Sequence, residues 1–95
     1  MQFAKQLRDR VASGEITRSV RIWQSARVKA GGRYRMGQGH ILVTSIREIG
    51  WEGITPELAR ESGFSSKIDL LKTAKHGPGE TVYLVEFEYK GPAAG

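Results

Sequence analysis

The chain has 95 residues, of which 39% are apolar and 26% charged, proportions of an ordinary globular protein and too apolar for a disordered tail. This length holds one core and excludes a second domain or a (β/α)-barrel enzyme, so a single domain over residues 1–91 with a disordered tail at 92–95 is expected. With no cysteine there is no disulfide, no thiolate nucleophile and no Cys-based zinc site. No apolar run approaches the roughly 20 residues of a membrane helix, and the first residues carry no apolar signal core. A cytoplasmic protein without a membrane partner is expected.

Charge is unevenly placed along the chain. Residues 1–40 hold nine basic groups against Asp9 and Glu15, a net +7, whereas residues 41–95 hold six basic and eight acidic groups, a net −2. Seven of those nine basic residues are arginine, whose planar guanidinium suits bidentate contact with phosphate and stacking on bases. A basic half of this kind favours a polyanion partner over a merely solvated surface.

Phe3, Leu7 and Val11 recur every four residues and predict an amphipathic helix of about three turns, stopped at Ser13-Gly14. Residues Thr17 to Trp23 alternate and predict a strand with Val20 and Ile22 in the core and Ser19, Arg21 and Trp23 on the other face. An aperiodic basic loop over 24–32 ends in Gly31-Gly32. Arg33 to Met36 and His40 to Ile49 then read as a hairpin turning through Gly37-Gln38-Gly39. Thr55-Pro56-Glu57 is a helix start, with a capping hydroxyl, proline at the first turn and a carboxylate at the positive end of the dipole; Ser62-Gly63 ends it. A further helix from Ser66, with Asp69 in capping-box position, is expected to bury Ile68, Leu71 and Ala74 and to stop at His76-Gly77-Pro78. Thr81 to Tyr89 is the last strand, with Tyr83, Val85, Phe87 and Tyr89 on one face and Val82, Leu84, Glu86 and Glu88 on the other. The expected class is α+β, a small, mostly antiparallel β-barrel with short helices against one side.

The glycines make no phosphate loop: neither a Walker run nor a glycine fingerprint opening a helix is present, so they read as turn formers. Two histidines, His40 and His76, supply too few ligands for a metal site, and no cofactor motif is found. His76 reads as a helix-end residue, and His40, opening a strand beside the basic segment, as a possible ligand contact. Ser19-x-Arg21-x-Trp23 stands out. In register on one strand face, these side chains either hydrogen-bond, neutralise phosphate and stack a base, or pack under the helices with Arg21 on a carboxylate. Tyr34 between Arg33 and Arg35 repeats the basic–aromatic pattern.

Several segments in order carry a resemblance: Gly14 then Thr17-Arg18-Ser19-Val20-Arg21-Ile22-Trp23; Val28-Lys29-Ala30-Gly31-Gly32-Arg33-Tyr34; the Ile41–Ile49 strand; Ile54-Thr55-Pro56-Glu57-Leu58-Ala59-Arg60-Glu61-Ser62-Gly63-Phe64; and Val82-Tyr83-Leu84-Val85-Glu86-Phe87. Over about residues 2–90 the chain resembles the ASCH domain family, a branch of the PUA-like barrels. The resemblance implies a barrel with helices framing a basic cleft and a role in binding RNA. Some relatives are small hydrolases: amidohydrolases acting on N4-acetylcytidine, and one group credited with ribonuclease activity. The amidohydrolase lysine, threonine and glutamate fall on Ile16, Ser19 and Ser62, with Glu61 one position away. An isoleucine can neither act as a base nor activate a nucleophile.

The expected function is therefore a monomeric, non-enzymatic RNA-binding module. Arg18, Arg21, Lys29, Arg33 and Arg35 would meet phosphates, Trp23 or Tyr34 would stack a base, and Ser19 and His40 would add polar contacts. The alternative is a small hydrolase acting on RNA or a modified nucleoside, with Ser19, Arg21 and Glu61 as weak catalytic candidates. A third reading is a barrel whose basic face meets an acidic protein. No metal or cofactor is expected in any of them.

Overall fold

The computed structural model describes residues 3–74 and 80–91. Along the chain lie α1 (Lys5–Ala12), β1 (Arg18–Trp23), β2 (Arg33–Met36), β3 (Gly39–Ile49), a 3-10 turn (Trp51–Gly53), α2 (Pro56–Glu61), α3 (Lys67–Ala74) and β4 (Thr81–Lys90). The expected stop at His76-Gly77-Pro78 and the 92–95 tail lie outside the described residues. Among those described, no helix is long and apolar enough to cross a membrane.

Local chemistry explains most boundaries. The Thr55 hydroxyl accepts the Leu58 N–H at 3.1 Å, and Pro56 occupies the first turn of α2, where its missing N–H costs nothing. The Ser66 hydroxyl accepts the Asp69 N–H at 3.1 Å, while the Asp69 carboxylate takes the N–H of Ser65 at 3.2 Å. This is a capping box displaced by one residue on its return side. Helix α1 runs eight residues, shorter than its apolar spacing predicts, because Phe3 is buried in the extended segment ahead of it rather than in the first turn. At Gly63, which ends α2, φ is +94° and an added Cβ would sit 2.7 Å from Leu7 and 2.8 Å from Ile16. Only glycine meets both the backbone angle and this close approach of α2 to α1.

The four strands form one antiparallel sheet in the order β1-β4-β3-β2, curled into a half-barrel. β4 enters between β1 and β3, so its near-continuous apolar sequence gains neighbours on both edges. A bulge between Val43 and Ser45 bends β3 and lets it serve the curl. β1 and β2 are the two outer strands and do not pair with each other, so the sheet is open where the sequence led us to expect a barrel.

Helices pack on both faces of the sheet, which corrects the expected one-sided arrangement. On the inner face, Leu7 and Val11 of α1 join Phe3, Ile16, Trp23, Ile41, Val43, Val85 and Phe87 in one core. On the outer face, Leu58 and Ala59 of α2 and Leu70 of α3 cover Val20, Ile22, Val82 and Leu84. The physical reason is that β4 is apolar inward at Val85 and Phe87 and outward at Val82 and Leu84, where Val20 and Ile22 of β1 join it, and each apolar face needs cover. In α3 Leu70 is buried and Leu71 half-buried, while Ile68 is 67% exposed; the expected burial of Ala74 lies outside the described side chains. Helical spacing permits either stripe, and docking of α3 over β1 selects Leu70.

Candidate nucleic-acid interface

The residues proposed as an interface separate into three environments. The first is the inner face of β1. Ser19 is 5% exposed, Arg21 9% and Trp23 3%. The Arg21 Nε donates to the Ser19 hydroxyl at 2.8 Å, and its guanidinium carbon lies 4.8 Å from the centre of the Phe3 ring. Trp23 packs against Tyr83 with ring centres 5.8 Å apart. Of the two readings of this line, the geometry matches packing beneath a helix, since no ring face is presented to a ligand. Burial disfavours the charged guanidinium and lowers the Arg21 pKa from its ordinary value to about 10, so at neutral pH the residue is a cation held inside the core.

The second environment is the junction of β1 with α2 and β4. One guanidinium nitrogen of Arg18 lies 3.4 Å from Glu61 and the other 3.2 Å from Glu86, so its charge is met from two sides. Arg18 is in register with Glu86 and Val20 with Leu84, which puts Arg18 and Glu61 on the outer face, opposite Ser19 and Arg21. The three hydrolase candidates Ser19, Arg21 and Glu61 are therefore not brought together. Ile16, at the amidohydrolase lysine position, is buried against Leu7 and the Gly63 backbone. Ser62 is buried with its hydroxyl unpartnered. A hydroxyl and an isoleucine in apolar surroundings supply neither a general base nor a charge for a developing oxyanion.

The third environment is β2 with the loop that leads to it. Lys29, Arg33 and Arg35 are exposed, and none makes an ion pair among the described residues. Arg27 shares both properties and was missed as a site residue, because the aperiodic loop gave no register to place it. Tyr34 is half-buried, lies over Gly32 and accepts the Lys29 backbone N–H on its hydroxyl at 3.1 Å. Its ring thus holds the loop against the strand. The hairpin turns at Gly37, where φ is +61°, a left-handed angle that favours glycine. His40 follows in β3, half-buried, its Nε2 enclosed without a hydrogen bond. No cluster of three potential metal ligands occurs among the described residues, and His76 lies outside them.

The basic half of the chain is thereby sorted. Lys5 and Arg8 are exposed on α1, Arg8 donating from Nε to the Phe3 carbonyl at 3.2 Å. Arg10 is paired with Glu15 at 2.7 Å, Arg18 with two glutamates, and Arg21 is inside the core, whereas Arg27, Lys29, Arg33 and Arg35, on β2 and the loop before it, make no ion pair among the described residues. In comparisons with known proteins the chain matches no family model, no curated protein and no solved structure.

Proposed function

We propose that the chain is an RNA-binding module of the ASCH type, a PUA-like fold acting in the cytoplasm, which binds phosphates along the β2 edge. The observation that carries this reading is the run Arg27, Lys29, Arg33 and Arg35. These are four exposed cations within nine residues, two on the outer strand β2 and two in the loop before it, and none is in an ion pair among the described residues. Free cations gain by releasing the counterions condensed on a polyanion, whereas cations already paired or buried gain little. Three of these four were expected at the interface, but Arg18, Ser19, Arg21 and Trp23 do not support it in the way expected. Their polar and aromatic groups are already used inside the molecule.

The test is fluorescence anisotropy with single-stranded RNA, double-stranded RNA and single-stranded DNA at 50 and 200 mM salt, with the RNA checked for cleavage afterwards. Four phosphate contacts to a single strand correspond to a salt slope of about −3, or roughly a 50-fold loss of affinity over that range. Binding insensitive to salt, or no binding to any RNA, overturns the reading. Cleavage that survives repurification would favour the hydrolase instead.

A further inference from the structure

The cations of β2 do not stand alone, because strand register brings partners to them from β3 and β4. Arg35 lies opposite His40, and His40 opposite Lys90, so three donor side chains form one row across three strands. Neighbouring strands are about 4.8 Å apart, which makes the row a shelf roughly 10 Å wide. Residues in register share a face. The next row inward, Tyr34–Ile41–Tyr89, contributes to the inner core, so Arg35, His40 and Lys90 face outward. Arg33 lies two residues from Arg35 on that same outer face, about 7 Å along the strand. Among the described residues, α2 and α3 pack over Val20, Ile22, Val82 and Leu84, with Ile49 beside them, and not over this row.

Two further facts point to an oxyanion here. The Nε2 of His40 is enclosed and makes no hydrogen bond, an unmet polar group that is costly to leave inside a protein. Its two cross-strand neighbours, Arg35 and Lys90, are exposed side chains on the same face. Lys90 does pair with Glu88 at 3.1 Å, but both side chains are half exposed, and such a pair is weak enough for a phosphate to displace.

We propose that the row Arg35–His40–Lys90 seats a phosphate oxyanion, so that a bound single strand runs along the outer face of β2 and does not enter the inner face of the half-barrel. This deepens the RNA-binding reading and rests on it. The experiment is an NMR titration of the full chain, following backbone amides and the His40 ring nitrogens, with two probes: a 12-nucleotide oligouridine and inorganic pyrophosphate. It is paired with anisotropy on Arg35→Gln, Lys90→Gln and His40→Phe, with Lys72→Gln on α3 as a control. The expected result is that oligouridine shifts residues 33–35, 40 and 90. Arg35→Gln and His40→Phe should each weaken its binding roughly tenfold, Arg35→Gln and Lys90→Gln should each lower the salt slope by about 0.7, and the control should leave affinity unchanged.

If oligouridine binds but shifts only the 24–32 loop or the inner face, and the row variants bind normally, the seat is wrong while RNA binding survives. If pyrophosphate shifts the row and oligouridine does not bind, the oxyanion seat stands for small phosphates and the RNA reading falls. If neither probe shifts the row, the seat is overturned. His40→Phe can fail through misfolding, but Arg35 and Lys90 are exposed and their variants decide the matter.

Discussion

β1 and β2 are the two outer strands of one sheet, and both interleave arginine with aromatic residues, yet they have opposite fates. In β1, Ser19-x-Arg21-x-Trp23 is covered by α1 on the inner face, and Val20 and Ile22 are covered by α2 and α3 on the outer one. In β2, Arg33 and Arg35 face solvent, and only Met36 is fully buried. The difference lies in what packs on each strand. β1 turns Val20 and Ile22 outward and lies beside β4, whose two apolar faces draw helices to both sides. β2 has charge on its outer face and stays bare there. Exposed arginines on a short outer strand also discourage edge-to-edge pairing with another chain.

The largest test of this contrast is Trp23→Ala, which empties a core site and should cost about 3–5 kcal/mol, read as a lower midpoint in urea. A variant that kept its stability but lost RNA affinity would place Trp23 at a ligand and break the comparison. Next, Arg21→Ala should cost about 2–3 kcal/mol through the lost contacts with Phe3 and Ser19. Arg21→Met keeps the volume without the buried charge and should stay within about 1.5 kcal/mol of the parent.

The pH dependence has a definite sign. Because burial holds the Arg21 pKa at about 10, the folded chain releases this proton before the unfolded one. Above about pH 10 the unfolded state binds more protons, and this residue makes stability rise with pH. Stability of Arg21→Met relative to the parent should accordingly be flat below pH 10 and decline above it, as measured by urea denaturation across that range.

On β2 the expected pattern reverses. The double variant Arg33→Gln, Arg35→Gln should unfold within about 0.5 kcal/mol of the parent while its RNA salt slope falls by about 1.4, measured by denaturation and anisotropy on the same preparation. Thr55→Ala, which removes the cap of the helix lying over β1, should cost about 1 kcal/mol in stability without changing the salt slope. Smallest of all, Arg18→Gln breaks only partly exposed pairs and should cost less than about 1 kcal/mol.

Several elements were legible before the structure because their signals are local. The Thr55 cap with Pro56, the Ser66–Asp69 cap, the glycine stops at Gly14 and Gly63, and the two faces of β4 all follow from residues within one turn or one strand. The candidate site was less legible. Lys29, Arg33 and Arg35 could be picked out as cations, but so could Arg18 and Arg21, and the one carboxylate within seven residues of Arg18, Glu15, pairs with Arg10 instead. What distinguishes Arg18 from Arg33 is Glu61 from α2 and Glu86 from β4, brought to Arg18 by a fold that joins distant segments. Lys90 escaped notice for the same reason, since only the pairing of β4 with β3 sets it beside His40.

The sequence by itself determined the elements, most of their ends, which residues share a face, and the concentration of basic charge before residue 41. Tertiary structure alone decided that the sheet stays open, that helices cover both faces, that Leu70 and not Ile68 turns inward, and which arginines remain unpaired. Alternation along a strand assigns side chains to two faces by backbone geometry, but it carries no information about what lies over each face. That depends on contacts between residues far apart in the chain, and here those contacts bury the arginine of β1 and leave those of β2 free.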